Sequence, residues 1–222
     1  MKIGIMQPYF LPYLGYWQLM YNAETFIIYD DVTYIKQGWI NRNKILVNSK
    51  PVYLTLQLHQ ASSFKLIKDT EISINPAKMS KTIYQAYRRS KIFDDIYPVF
   101  NEIIYTQTNN LADFVINSIS QIQQYLGIKT ITLRSSSLPI PKMLKSAERV
   151  KFVCKYISDS VVYINSIGGT NLYDREDFKK DGIELRFLRP EIKPENTLSI
   201  LDLMFKYPKE TLLNMLTDFT EE

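Results

Sequence analysis

The chain has 222 residues, with 27 lysines and arginines against 23 acids, a formal net charge of +4, and 45% hydrophobic and 23% charged residues. A charge so small and so scattered argues against a nucleic-acid-binding surface, and the balance is that of a globular protein with a substantial core. One cysteine, Cys154, excludes an internal disulfide and a cysteine-rich metal site. No run approaches the length of a membrane span, and Met1-Lys2 leads into a strand rather than a signal peptide, so the cytoplasm is the expected compartment.

Lys2 to Met6 is a short apolar run that reads as a buried strand. Gln7-Pro8-Tyr9-Phe10-Leu11-Pro12-Tyr13 follows, and its two prolines forbid continuing either a ladder or a helix. Gly15 ends this loop. Trp17, Leu19, Met20 and Ala23 then share the inner face of a helix, with Gln18, Asn22 and Glu24 turned outward. Phe26 to Tyr29 is a second buried strand, ending in Asp30 and Asp31. Strand, loop, helix and strand make a βαβ unit with a right-handed crossover.

Ligands of an open parallel sheet bind beyond the carboxyl ends of its strands. Segments 7–15 and 30–44 both leave from that edge and are dense in aromatic, amide and charged side chains, so they are expected to enclose one small-molecule cleft. Gln7, Tyr9, Tyr13 and Tyr16 are the candidates from the first segment. Lys36, Trp39, Asn41, Arg42 and Asn43 are those from the second. Arg42 offers a planar fork for a carboxylate or diphosphate, Lys36 adds positive charge, and Lys44 reads as solvated. Trp39 stacks on a ligand or packs over the core edge. Asp30 and Asp31, adjacent in sequence, project differently: one is a candidate base or ammonium ligand, the other a tie for the loop.

Beyond Lys44, residues 45–47 and 52–58 read as strands about the turn Asn48-Ser49-Lys50, and 67–74 as a short edge strand. His59, the only histidine, stands at a strand end; it is a candidate general base, set against the commoner surface or core histidine. Residues 77–127 carry helical spacing and are expected to form two or three helices, an insertion or a lid. Asn109 or Asn110 caps the last of them and Gly127 closes it. A strand over 128–134, a polar serine loop, a helix over 146–157 with Cys154 in its core face, and a strand over 161–164 come next. Asn165 to Asn171 holds the only glycine pair, where backbone N–H groups meet an oxyanion or merely make a tight turn. A short helix over 174–180, a strand over 183–188, a helix capped by Ser199 and a last amphipathic helix after Pro208 complete the chain. The expected fold is α/β: one Rossmann-like domain over 1–222, a mostly parallel sheet with helices on both faces and the helical insertion. No spacing suggests a metal site.

Sixteen tyrosines are the compositional excess. A flat face with a hydroxyl suits stacking on sugars or nucleobases, although codon bias that also enriches Ile, Lys and Asn accounts for part of the number.

Gln7 to Tyr16, together with Asp30-Asp31-Val32 and Gly38 to Asn43, resembles the two N-terminal motifs of the WbqC-like protein family. Arg149, the Tyr163 to Tyr173 segment and Leu198 to Met204 are similar as well, so the resemblance spans nearly the whole chain. The family pattern has Ser and Gly adjacent where this chain reads Asn165-Ser166-Ile167-Gly168-Gly169; Ser166 and Gly168 are the corresponding binding candidates. The resemblance implies surface-polysaccharide or O-antigen biosynthesis. It implies a transferase or ligase adding an aminoacyl group such as glycyl, or an acyl group, to the amine of a nucleotide-linked amino sugar. ATP or an acyl-CoA is the candidate co-substrate, and a homodimer is allowed. The alternatives are a non-catalytic sugar-nucleotide-binding subunit and an ATP-dependent adenylating ligase. The layout of the first motif is similar to that of HIGH-type nucleotidylyltransferases, with Tyr13 and Tyr16 standing where those carry histidines. Lys78-Met79-Ser80-Lys81-Thr82 imitates their second signature by chance, within a helix and too early.

Overall fold

A computed structural model describes residues 1–60, 62–193 and 196–222. Lys2–Met6 forms β1, Thr25–Ile28 β2, Ile131–Arg134 β7, Val161–Ser166 β8, Ile183–Pro190 β9 and Phe219–Glu221 β10. These make the central sheet in the order β10-β9-β8-β1-β2-β7, all neighbours parallel except the antiparallel edge pair of β9 and β10. Chain progress runs outward from β1 in both directions, through β2 to β7 on one side and from β8 to β10 on the other. The fold is therefore Rossmann-like, with its switch of direction between β1 and β8.

Both faces of the sheet are covered, which is why its strands read as continuous apolar runs. On one face Ile3, Ile5, Ile27, Tyr163, Leu185 and Phe187 pack under α5 (Ser146–Ile157) and α6 (Arg175–Lys180). On the other, Phe26, Ile28, Ile164 and Leu188 meet α1 (Leu14–Asn22), α4 (Leu111–Leu126), α7 (Ile200–Lys206) and α8 (Lys209–Met215). Gly4 lets this second layer close down, since a Cβ there would stand 2.9 Å from the Phe26 ring. Helix termini follow their sequence signals: Asn110 accepts from Asp113 N at the start of α4, Gly127 ends it at φ +77°, and Ser199 Oγ accepts from Leu201 N at the start of α7.

The segment 77–127, read as an insertion or lid, holds α2 (Pro76–Tyr87), α3 (Phe93–Ile104) and α4. Their apolar stripes, Ile83, Phe100, Ile103, Phe114 and Ile119 among them, lie in the same core as Trp17 and Phe26. Outside the main sheet, β3 (Arg42–Val47) and β4 (Lys50–Thr55) form a hairpin. Two-residue strands β5 (Leu58–His59) and β6 (Glu71–Ile72) pair beyond it. Helical hydrogen bonding over Ile67–Asp69 displaces most of the edge strand expected at 67–74.

Two further expectations are corrected. The helix after Pro208 does not run to the end of the sequence: α8 stops at Met215 and the last residues add β10 to the sheet edge. Gln18 does not face outward but is fully buried, its Nε2 donating to Met215 O and Asp218 O at 2.8 Å each. The two corrections share a cause, since the chain end folds back over the outer side of α1 and brings polar backbone that needs a partner there. No helix among the described residues is long and apolar enough to cross a membrane.

Candidate functional site

The loop after β1 begins at Gln7 and is held from several sides. Phe10 N donates to Trp39 O at 3.0 Å, and Trp17 Nε1 and Ile200 N donate to Pro12 O at 3.1 and 2.9 Å. Leu11 takes the left-handed conformation at φ +46°, uncommon for a branched residue. Its carbonyl is fixed by Asn43 Nδ2 at 2.7 Å and Ser199 Oγ at 2.9 Å. Groups from the second segment and from α7 thus maintain a backbone shape that the loop alone would not keep.

That shape opens a cavity of about 420 Å³ at the carboxyl ends of β1 and β8. One wall is Gln7, Tyr9 and Tyr13; the opposite wall is Asn165, Ser166, Gly168, Gly169 and Tyr173; Tyr29 and Tyr163 stand with them. Val32, Ile35 and Leu172 also line it, and Ile35 and Leu172 are exposed. Among the described residues that line it there is no acid, histidine, lysine or arginine. The side chains of Gln7, Tyr9, Tyr13 and Ser166 have no hydrogen-bond partner among the described residues, so their polar atoms are available to a ligand.

The phenols stay protonated at neutral pH. Burial, reinforced by neighbouring Tyr13, pushes Tyr9 up to about 12, and burial raises Tyr13 as well. Burial also brings Tyr29 up to about 12 despite the opposing Arg149 guanidinium, whose Cζ lies 5.2 Å from the centre of the Tyr29 ring. Tyr16 is wholly buried beneath Tyr9, ring centroids 5.6 Å apart, with its hydroxyl unpartnered. It does not line the cavity but supports the ring that does.

The second segment is placed differently. Asp30 is fully buried beneath the loop after β7: Oδ1 accepts from Ser136 N at 2.9 Å, and Oδ2 from Ser136 Oγ and Arg134 Nε at 2.8 Å each. Burial pushes its carboxyl up, but the Ser136 and Arg134 hydrogen bonds outweigh burial and hold it below its ordinary 3.8. Asp31 pairs with Arg149 at 2.6 Å and also accepts from Ser135 Oγ. Asn41 bonds Tyr34 Oη and Leu56 O, Asn43 bonds the Leu11 carbonyl, and Arg42 donates to Gly38 O and Gln37 O above the Tyr53 ring. Lys36 is exposed, Trp39 is 37% exposed, and His59 lies in β5 opposite Glu71. None of these lines the cavity.

Of the sequence candidates, the structure gathers Gln7, Tyr9, Tyr13, Ser166 and Gly168 around one space and sets Asp30, Asp31, His59, Tyr16, Lys36, Trp39, Asn41, Arg42 and Asn43 outside it. Tyr29, Asn165 and Tyr173 also line the cavity and are not among the sequence candidates. A signal existed for Tyr29, the last residue of a buried strand, but Asn165 and Tyr173 depend on β8 lying beside β1. Among the described residues no group of three or more His, Cys, Asp or Glu is arranged to hold a metal.

The chain is thus a Rossmann-like α/β protein with an aromatic cavity at the switch point of its sheet, the place where open α/β sheets commonly hold ligands. Residues 7–213 match the WbqC-like protein family, and the chain belongs to that family. It is similar to "Uncharacterized protein Rv1507c" of Mycobacterium tuberculosis, 26% identical over 225 residues that cover 94% of this chain and 95% of the relative. No solved structure matches it.

Proposed function

We propose that the protein attaches an acyl or aminoacyl group to the amine of a nucleotide-linked amino sugar in surface-polysaccharide biosynthesis, with the cavity between β1 and β8 receiving the sugar. The general association of the family with O-antigen clusters supports the pathway. The observation that carries the site is the set of unpartnered neutral polar groups, Gln7, Tyr9, Tyr13 and Ser166, between tyrosine rings at the switch point. Rings take the face of a sugar or base, while the amide and hydroxyls take its edge.

A cavity without charged groups also bears on the chemistry. Removing a sugar ammonium from water into neutral surroundings lowers its pKa, so the amine binds as the free base that attack on an acyl carbon requires. Phenols that remain protonated donate to the oxygen that gains charge as the tetrahedral intermediate forms; its collapse breaks the acyl bond to the donor's thiolate or phosphate, and the departing group carries off the proton that the attacking nitrogen gives up. In this reading the helices of 77–127 are fixed scaffold rather than a moving lid.

The absence of a carboxylate or imidazole on the walls favours a second reading, a non-catalytic subunit that presents the sugar nucleotide to a partner. Incubation of the full chain with a uridine- or thymidine-linked amino sugar, and either glycine with ATP or an acyl-CoA, distinguishes the two by mass spectrometry. An N-acylated or N-glycylated product whose formation falls with Gln7→Ala and, to a lesser degree, with Tyr13→Phe supports the transferase. Binding without turnover selects the second reading, and pyrophosphate release without transfer selects an adenylating ligase.

A further inference from the structure

We infer that the protein has a second ligand site, between the β3–β4 turn, the end of α2 and α7, that takes a small zwitterion bearing an amine and an anionic group. The site is a separate cavity of about 500 Å³, and none of its lining residues belongs to the cavity at β1 and β8. It therefore stands or falls independently of the transferase reading.

Asp202 on α7 is its centre. The residue is only 3% exposed, and Oδ1 accepts from Tyr87 Oη at 2.6 Å and from Leu46 N at 3.2 Å. No group among the described residues bonds Oδ2, and no lysine or arginine pairs with this carboxylate. A carboxylate so buried is ordinarily paired with a cation, because burial of an uncompensated charge is costly. The Tyr87 ring is stacked flat on Phe205, centroids 4.3 Å apart, so the hydroxyl that fixes Oδ1 is itself fixed. The same cavity is bordered by the end of α2, whose terminal carbonyls also favour a positive group.

Arg88 and Arg89 line the same cavity. Both are exposed, and neither side chain has a hydrogen bond or ion pair among the described residues. Adjacent guanidinium groups are suited to a carboxylate or a phosphate. Lys206, one turn after Asp202, also lines this cavity but makes no ion pair with the carboxylate: its Nζ is turned to Asn196 Oδ1 at 3.4 Å and lies 4.8 Å from the centre of the Tyr207 ring. A buried acceptor with one open oxygen and two free guanidinium groups therefore select a molecule that carries opposite charges at its two ends.

Calorimetric titration of the full chain with glycine, O-phosphoethanolamine, ethanolamine and inorganic phosphate tests this. One of the two zwitterions should bind saturably, at least about tenfold more tightly than ethanolamine or phosphate, and the preferred one tells whether the anionic end is a carboxylate or a phosphate. Asp202→Asn should weaken that binding about tenfold or more, as should the double variant Arg88→Ala with Arg89→Ala. The double variant lies on the surface and decides the matter even if Asp202→Asn fails to fold. The inference is overturned if neither zwitterion binds, if phosphate alone binds as tightly as O-phosphoethanolamine, or if binding survives the arginine double variant.

Discussion

The segments that follow β1 and β2 leave adjacent strands at one edge of the sheet, and both are dense in aromatic and amide side chains. In the first, Gln7, Tyr9 and Tyr13 line the cavity and no described residue hydrogen-bonds their side chains. In the second, Asp30, Asp31, Asn41, Asn43 and Arg42 are each engaged by protein groups. The second supports the first, through the Trp39 carbonyl that holds Phe10 and the Asn43 amide that holds Leu11. The chemical character of a side chain is common to both segments, and what separates binding surface from support is whether the surrounding fold has already satisfied it.

The strongest way to sharpen this contrast is Asp30→Ala. Its buried carboxylate joins Arg134 to the loop after β7, and removal is expected to cost about 3 kcal/mol or more in urea unfolding. A carboxyl held below 3.8 in the folded protein stabilises it above that pH and loses the contribution as pH falls further. The variant should therefore show a shallower loss of stability on acidification below about pH 4. If Asp30→Ala instead folds normally and abolishes turnover, Asp30 belongs to the chemistry and the contrast is wrong.

Asn43→Ala comes next. It leaves the Leu11 carbonyl with one partner fewer, and the expected loss is about 1–3 kcal/mol of stability. Weaker binding of a uridine-linked amino sugar should accompany it, because the strained loop relaxes.

Two neighbouring glycines make a paired comparison on the far wall. A Cβ at Gly169 would stand 2.7 Å from Asn165 Nδ2 and displace a wall residue, whereas one at Gly168 would meet nothing within 4 Å. Gly169→Ala is expected to weaken sugar-nucleotide binding severalfold by shifting Asn165, and Gly168→Ala to weaken it less, since its Cβ displaces no protein atom. Equal effects of the two would place the ligand elsewhere.

Tyr13→Phe removes one unpartnered hydroxyl and should reduce affinity by about 1 kcal/mol without lowering the thermal midpoint. The smallest effect is expected of Arg42→Ala, where a stacked and partly exposed guanidinium is lost. Stability should change by at most about 1 kcal/mol, and binding in the cavity not at all.

Much of the scaffold is legible in the sequence. Apolar runs mark β1, β2, β8 and β9, two prolines mark the first loop, and the Asn109-Asn110 pair, Gly127 and Ser199 mark helix ends, because these signals act over a few residues. Glu221 shows the opposite case. Read as the tail of a helix, it instead lies in the edge strand, accepts from Lys2 Nζ at 2.7 Å and pairs with Arg186. Burial raises its carboxyl, but Lys2, Asn22 and Arg186 bring it down to about 2.

The sequence by itself determined the strands of the parallel sheet and most helix ends, and that the segment after the first strand sits at the carboxyl edge of that sheet. Tertiary structure alone decided that the opposite wall comes from the loop after β8, since Lys2 pairs with Val162 and that partnership is written in no local pattern. It also decided which polar side chains face a ligand, because an Asp, an Asn or a Tyr carries the same groups everywhere and only distant chain brought alongside determines whether they are already bonded.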